Sequence, residues 1–458
     1  MPDFAGHLEN PLVIVALFLT FAILLVFGVP ITVSLGLSAI VAMIVSSYPT
    51  GVFTEIGALV QQMFTSFDSF PIMAIPMFML AGEIMNQGGA SERLISLANV
   101  LVGRFKAGLA YIGIVASMFF ACISGSGPAD VAAIGTMMIP QMAKHGYHKG
   151  YSAVCIGAAG TLGILIPPSI PAVIYGVVTT TSIGKLFIAG LLPGIFTGLA
   201  LMVTSRFIFR KHLAEDADVS EDIRSSLEIA QPAYTSYRKS LFQALYRAKY
   251  SLVMPIIILG GIYAGIFTPT EAATVAVVYG LVVTLYLDRE LRYSQIGGVF
   301  RRAGLISGIV LILIGTALLF GRIMTLERFD QTISELILSF TTNRHVILGL
   351  VVTFLIFLGM FMETLAAIIL FGPMLLKIVV PLGVDPIQFG IIMILASEVG
   401  FMTPPIGEHL FIVASISNIP LERIIRYALP YVLTLILATL VVSYVPWVTM
   451  FLPNLLYD

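Results

Sequence analysis

The stretch Gly163-Ile-Leu-Ile-Pro-Pro168 returns 237 residues later as Gly400-Phe-Met-Thr-Pro-Pro405. In both places a proline pair interrupts a long apolar run, and proline removes a backbone donor and breaks an α-helix. Inside a membrane, the freed N–H and C=O groups persist only where protein or a water-filled cavity satisfies them. The paired motif therefore predicts two broken membrane helices, each beside a candidate site.

The similarity between the two halves extends well beyond this motif. Gly28-Val-Pro30 matches Phe267-Thr-Pro269, and Gly82-Glu-Ile-Met85 matches Gly321-Arg-Ile-Met324, both at an offset of 239 residues. Breaks that recur at the same places in two halves are typical of secondary transporters built from repeats. If each half holds an odd number of spans, the repeats are inverted.

The composition excludes a soluble protein. Of the 458 residues, 58% are hydrophobic and 11% are charged, with a mean hydropathy of +1.00, against about 25% charged in an ordinary soluble chain. A net charge of −1 gives no basic footprint for nucleic acid. The residues before the first apolar run include no Lys or Arg, so we expect that segment to be retained rather than cleaved. The composition predicts a polytopic membrane protein, and the lengths of its apolar stretches predict that it is all-α.

A membrane-spanning helix needs about 20 mostly apolar residues, and ten to twelve stretches are candidates. They lie at 11–27, 31–48, 107–123, 151–178, 186–208, 250–266, 271–287, 303–321, 345–361, 388–414 and 425–449, with 53–85 and 361–382 as interrupted segments. One polar linker, 209–249, separates a first membrane repeat (1–208) from a second (250–458). Because basic residues cluster in the linker and near Arg301, the positive-inside rule predicts that it is cytoplasmic.

Two flexible corners mark the first candidate site. Ser124-Gly-Ser-Gly-Pro128 lies between apolar segments, and its partner is Ile166-Pro-Pro-Ser169. Freed carbonyls at such corners suit Na⁺, while the N-termini of half-helices attract carboxylates. The alternative interpretation is close helix packing, which also uses Gly and Ser.

The corners of the second half are richer in acids. Glu363 follows the corner that begins at Gly359, and Glu398 precedes Thr403-Pro-Pro-Ile-Gly-Glu-His409. A carboxylate inside a membrane costs several kcal/mol unless it is paired or hydrated. Glu363, Glu398 and Asp130 are therefore candidates for cation coordination or proton coupling. The alternative for each is a place at the bilayer surface or partners in the neighbouring backbone.

Several activities lack their motifs. No G-x-x-x-x-G-K-[ST] is present, which argues against ATP hydrolysis. No H-E-x-x-H or G-x-S-x-G occurs either, and Ser126, the only plausible nucleophile, has no nearby histidine in sequence. We predict that the chain is not an enzyme. A channel is less favoured, because discontinuous helices in repeated halves suit an occluded site.

At these motifs the sequence resembles the large membrane subunit (DctM-like) of tripartite ATP-independent periplasmic (TRAP) transporters. The resemblance covers nearly the whole chain and includes the stretches 70–82, 124–135, 160–169, 260–272, 383–390 and 403–407. It implies two inverted repeats with re-entrant hairpins and discontinuous helices, of the ion-transporter-superfamily type, working by an elevator motion. It also implies a bacterial inner-membrane protein with two partners, a small four-helix membrane subunit and a periplasmic substrate-binding protein.

The resemblance further implies a Na⁺-coupled importer of an organic acid, most simply a C4-dicarboxylate. Sialic acid, another carboxylate, or coupling to H⁺ are the alternatives. Carried onto this chain, the substrate-binding residues are Ser124, Ser126, Ser169 and Glu363. The predicted Na⁺ ligands are Ser124, Gly125, Glu363, Thr364, Thr403, Pro404 and Gly407, joined by Glu398 from the argument on buried acids. Two residues depart from the family pattern, Gly127 where Ser is frequent and His409 where Asn is frequent.

Overall fold

The computed structural model describes residues 10–47, 57, 61, 65, 67–105, 107–215 and 237–457. Helices and turns account for this part of the chain, which contains no strand. By length and composition, six of its helices can cross a membrane, or seven if the bent pair Lys149–Leu165 and Ile170–Val178 forms one span. The predicted all-α membrane fold is confirmed. The predictions for residues 1–9 and for the middle of the linker, 216–236, lie outside the described residues.

The first half begins with two antiparallel helices and ends with a long one. Its helices are α1 (Pro11–Val26), α2 (Ile31–Ser47), α3 (Ala74–Gln87), α4 (Ala90–Val102), α5 (Gly108–Ser124), α6 (Gly127–Lys144), α7 (Lys149–Gly160), α8 (Leu162–Leu165), α9 (Ile170–Val178) and α10 (Ile183–Glu215). Helices α5 and α6 form a first hairpin, and a break at 166–169 separates α8 from α9.

The second half repeats this order. Its helices are α11 (Tyr237–Tyr263), α12 (Pro269–Val282) with a π-helical extension Val283–Leu287, α13 (Tyr293–Leu326), α14 (Phe329–Phe340), α15 (Arg344–Gly359), α16 (Thr364–Val379), α17 (Pro386–Phe401), α18 (Glu408–Ser417), α19 (Leu421–Tyr444) and α20 (Pro446–Tyr457). Helices α15 and α16 form a second hairpin, and a break at 402–407 separates α17 from α18.

Helix starts follow the local sequence. Asn10 accepts from the backbone N–H of Leu12 at the start of α1, and Asp385 caps α17 in the same way. Each cap is followed by a proline at the first helical position, whose missing N–H costs nothing there. The helix boundaries at the predicted linker, 209–249, differ from those expected. Helix α10 continues into it as far as Glu215, and α11 already begins within it at Tyr237.

Contacts between helix ends define one face of the molecule, here called the linker face, where α10 and α11 lead into the linker. Leu97 and Val100 of α4 pack on Ala244 and Ala248, near the start of α11. Helix α5 follows α4 after a short turn, so the first hairpin enters from the linker face. Ser205, towards the linker end of α10, accepts a hydrogen bond at its carbonyl from the Tyr151 hydroxyl, so α7 also begins there.

The opposite face of the molecule, here called the far face, contains the end of α19 and the starts of α15 and α17. The Tyr444 hydroxyl at the end of α19 donates to the carbonyl of His345 at the start of α15. The Tyr175 hydroxyl in α9 donates to the carbonyl of Pro386 at the start of α17. The second hairpin therefore enters from the far face, opposite to the first. This arrangement confirms the predicted inverted repeats with re-entrant hairpins and broken helices.

Candidate functional site

In each half, the tip of the hairpin contacts the helix break of the same half. The backbone N–H of Ile170 donates to the carbonyl of Gly125 at 3.3 Å, and that of Ile406 donates to the carbonyl of Met360 at 3.4 Å. Gly125 has φ +63°, and a Cβ there would lie 2.6 Å from the Pro168 carbonyl oxygen. Glycine is thus required for the first tip to approach the break so closely.

The two halves also cross over one another. Helix α18, which follows the second break, packs against α6 and α7 of the first half, whereas α9, which follows the first break, packs against α16 of the second hairpin. Both tips and both breaks therefore surround a common centre. Such non-helical backbone at membrane depth is tolerated because other protein segments cover it.

A buried carboxylate lies directly behind the first tip. The Ser124 hydroxyl donates to Oδ1 of Asp130 and accepts from the backbone N–H of Ser126 at 3.3 Å. Asp130 is fully buried, and its Oδ2 has no hydrogen-bond partner among the described residues. The same oxygen lies 2.5 Å from the position that a Cβ on Gly163 would occupy. A carboxylate with one satisfied oxygen is thus held between the tip and the helix before the break.

A second buried carboxylate faces a buried histidine. Thr364 donates through Oγ1 to Oε1 of Glu398 at 3.3 Å, while Oε2 of Glu398 lies 3.7 Å from Nε2 of His409. Nδ1 of His409 lies 3.1 Å from the carbonyl oxygen of Gly157, which only accepts, so Nδ1 carries a proton in that contact. Oε2 of Glu398 and Nε2 of His409 thus face each other, and neither has a hydrogen-bond partner in the described part of the chain.

The helix starts at the two corners differ in charge. Helices α6 and α9 begin after Ser126 and Ser169, whereas α16 begins after Glu363 and α18 begins at Glu408. Helix N-termini carry partial positive charge. The hydroxyls and N–H groups at the starts of α6 and α9 suit an anion, while Asp130 lies in the first turn of α6 behind them. The carboxylates at the second corner compensate the helix dipoles there and favour a cation.

The structure brings the predicted site residues together at these corners. Ser124 and Gly125 form the first tip, and Ser126 is half-buried, with no capping hydrogen bond from its side chain. Ser169 is buried and caps α9 by accepting from Ala172 N at 3.2 Å. Glu363 and Thr364 lie at the second tip, and Glu398 lies in the last turn of α17. Thr403, Pro404 and Gly407 lie at the second break. Their roles in binding stay predictions.

Two further residues belong to this centre but were absent from the predicted ligand sets. Asp130 was recognisable as an acid inside an apolar segment, and the structure adds its contact with Ser124. His409 departs from the family pattern in sequence, and its contacts with Gly157 and Glu398 are not evident from local sequence. No group of three or more His, Cys, Asp and Glu side chains suited to a metal ion occurs among the described residues.

Inverted repeats, apposed hairpin tips and helix breaks, and buried acids at their centre define a multi-pass membrane transport protein. The sequence profile for the tripartite ATP-independent periplasmic transporter, DctM component, matches residues 18–448. The chain belongs to this family of transporter permease subunits and is not an enzyme.

Curated relatives differ in the substrate that their names give. The chain is 42% identical over 451 residues to the isethionate TRAP transporter permease protein DctMQ of Oleidesulfovibrio alaskensis, covering 98% of this chain and 67% of that protein. It is 40% identical to the C4-dicarboxylate large permease protein DctM of Pseudomonas aeruginosa, over 92% of this chain and 94% of the relative. It is 34% identical to the sialic acid TRAP transporter large permease protein SiaM of Vibrio cholerae, over 94% of this chain and 96% of that protein.

A solved structure shares the fold at much lower identity. The YdaH transporter of Alcanivorax borkumensis aligns with a TM-score of 0.59 and 15% identity, covering 88% of this chain and 89% of that one. The likeness concerns the fold alone.

Proposed function

We propose that this chain is the large permease subunit of a Na⁺-coupled system that imports a small organic acid across the bacterial inner membrane. A periplasmic binding protein delivers the substrate, a small membrane subunit completes the complex, and the helices around the two tips move as an elevator. The substrates named for the three relatives are all organic anions. A C4-dicarboxylate is the first candidate, with isethionate, sialic acid or another carboxylate as alternatives.

The observation that carries the proposal is the set of buried acceptor atoms at the centre. Asp130 Oδ2, Glu398 Oε2 and His409 Nε2 are buried acceptors with no hydrogen-bond partner within the described ranges. Leaving such atoms unsatisfied costs about 1–3 kcal/mol each, and more when they are charged. A cation supplies the missing interaction, and Na⁺ prefers oxygen ligands of the kind that these carboxylates and the backbone of the breaks offer.

Substrate binding is assigned to the first corner. The unused hydroxyl of Ser126 and the N-termini of α6 and α9 present donors, and the partial positive charge of two helix starts favours a carboxylate. A cation held by the buried acids, including Asp130 behind the first tip, and an anion at the starts of α6 and α9 share one centre. Binding of either ion then lowers the electrostatic cost of binding the other, which is the physical basis for symport.

The test is uptake of labelled succinate, isethionate and sialic acid by the complex of all three subunits in proteoliposomes. We expect uptake of at least one anion to require an inward Na⁺ gradient and to proceed without ATP. Uptake that requires ATP, or that is indifferent to Na⁺, contradicts the proposal.

Coupling to H⁺ is the second candidate, and the facing acceptors of Glu398 and His409 favour it. One proton placed between Oε2 and Nε2, now 3.7 Å apart, would join them in a hydrogen bond if they moved closer. Uptake driven by an inward pH gradient in Na⁺-free buffer would support this candidate over Na⁺.

A further inference from the structure

A cavity of about 220 Å³ lies at the far face, away from the tips and breaks. It is lined by the last residue of α9, the far-face end of α13, the start of α14 and the outer half of α16. It is open on one side and large enough for an organic anion of a few carbons. None of the predicted site residues lines it.

The charged residues that line the cavity are Arg322, Lys377 and Asp330, with one positive charge in excess. Lys377 pairs with Asp330, whose other oxygen is buried without a hydrogen-bond partner in the described chain. Arg322 is exposed and makes no hydrogen bond or ion pair with any residue that the structure describes. Its planar guanidinium is suited to bidentate binding of a carboxylate.

The matching position in the first half has the opposite charge. Arg322 corresponds to Glu83 in the repeated motif, and Glu83 accepts from Arg302 at 2.7 Å. The cationic cavity is therefore not a consequence of the repeated backbone. At this matched pair of positions the two halves differ in charge, and the second half has the sign that attracts an anion.

The cavity and the second tip share helix α16. Its lining on α16 runs from Ile369 to Lys377, and α16 begins at Thr364 beside Glu363. At 1.5 Å per residue, Ile369 lies about 8 Å along the helix from that start. The cavity wall nearest the centre is therefore about two turns of α16 from the second tip.

We propose that this cavity is a capture site for the transported anion, in which Arg322 binds a carboxylate or sulfonate group before the substrate reaches the hairpin tips. The proposal rests on the proposed function for the identity of the substrate and for the far face being periplasmic. The bound group could come from a free organic anion or from an anionic lipid, and we assign it to the free anion.

The test uses Thr325→Cys, which places a thiol on the exposed cavity wall, in a Cys122→Ala background. The chain, with its small membrane subunit, is placed in phosphatidylcholine nanodiscs. Labelling rates are then compared for a negatively and a positively charged thiosulfonate reagent. Adding Arg322→Gln should lower the ratio of anionic to cationic labelling about tenfold at low salt, from the Coulomb energy of one charge ~6 Å away in water. Arg344→Gln, a far-face arginine outside the cavity lining, is the matched control and should leave the ratio unchanged.

Protection identifies the ligand. Succinate, isethionate or sialic acid should slow labelling of the introduced thiol when Arg322 is present and should lose this effect in Arg322→Gln. An unchanged ratio, or no protection by any of these anions, overturns the proposal. Protection only by added phosphatidylglycerol assigns the site to a lipid headgroup and also overturns it. Labelling needs no Na⁺ gradient and no transport, so its outcome is separate from that of the uptake experiment.

Discussion

The two departures from the family pattern, Gly127 and His409, contact each other across the halves, and this contact can be measured. A Cβ on Gly127 would lie 2.8 Å from Nε2 of His409 and 3.1 Å from the Gly160 carbonyl oxygen, where ordinary contact begins near 3.4 Å. The ring would have to move by about 0.6 Å, while Nδ1 is held 3.1 Å from the Gly157 carbonyl. Overpacking of a tight interior typically costs about 1–3 kcal/mol.

We therefore expect Gly127→Ala to lower the free energy of unfolding, and His409→Asn to relieve that loss because the smaller side chain vacates the space. The coupling energy of the double-mutant cycle should reach about 1 kcal/mol or more. It is measured by denaturant titration of the four proteins in detergent micelles. The control cycle pairs His409→Asn with Gly304→Ala, a helical glycine with no atom within 4 Å of its built Cβ. Gly304→Ala should raise the free energy of unfolding by up to about 1 kcal/mol, and its effect should add to that of His409→Asn without coupling.

Additive effects in the Gly127 cycle, with a coupling below about 0.5 kcal/mol, would refute the inferred contact. Equal coupling in both cycles would show that His409→Asn acts globally rather than through Gly127. Na⁺ titration of the same variants adds a functional measure. Displacing His409 also moves Nε2 relative to Glu398, so Gly127→Ala should weaken Na⁺ dependence, and the double variant should recover at least part of it.

Three other substitutions test the centre. Glu398→Gln keeps the shape of the side chain but removes its charge. The Na⁺ concentration for half-maximal uptake should rise about tenfold or more, since hydrogen bonds to charged groups contribute about 1.5–3 kcal/mol. An unchanged Na⁺ titration would show that Glu398 is not part of the cation site. Glu363→Gln should weaken Na⁺ dependence or transport, and an unaltered titration would count against its assigned role. Gly125→Ala should lower the free energy of unfolding by about 1–3 kcal/mol. The reason is that Gly125 has φ +63° and that an added Cβ would lie 2.6 Å from the Pro168 carbonyl oxygen. Wild-type stability of this variant in denaturant would contradict the tip geometry.

The sequence was sufficient for the parts of the fold that depend on local chemistry. Paired prolines at 167–168 and 404–405 identified both breaks because two adjacent prolines remove two successive backbone donors. Single prolines, such as Pro140 in α6, lie inside continuous helices. Matching glycines and prolines at a nearly constant offset identified the repeats. Helix ends were harder, because Arg206, Lys239 and similar residues lie on helices that continue past the apolar segment. A hydropathy criterion ends such helices too early, since long basic side chains can extend from the membrane to water.

The contacts across the halves depend on the chain's path and left no local signal. Gly127 and His409 are 282 residues apart and meet only because α18 crosses onto α6 and α7. Asp130 was recognisable as a costly acid in an apolar segment, yet its partner Ser124 follows from the fold of the hairpin tip. The charge of the far-face cavity had a possible signal, since Arg322 replaces the acid found at the matching position, Glu83.

These differences between matched positions bear on the direction of transport. Two inverted repeats with identical side chains would offer the same corner and the same cavity to both faces, and neither face would be preferred by an anion. In this chain the helix start after Ser126 is matched by one after Glu363, and the position of Arg322 is matched by Glu83. The backbone symmetry supplies two equivalent arrangements of tip and break. The side chains differ in charge between them, so the helix starts after Ser126 and Glu363 favour ions of opposite sign. We therefore expect Arg322→Glu, which restores the acid of the first half, to impair anion uptake from the far face more than Arg322→Gln does, as measured in oriented proteoliposomes. Equal uptake by the two variants would mean that the sign of charge at this position has no part in directing the substrate.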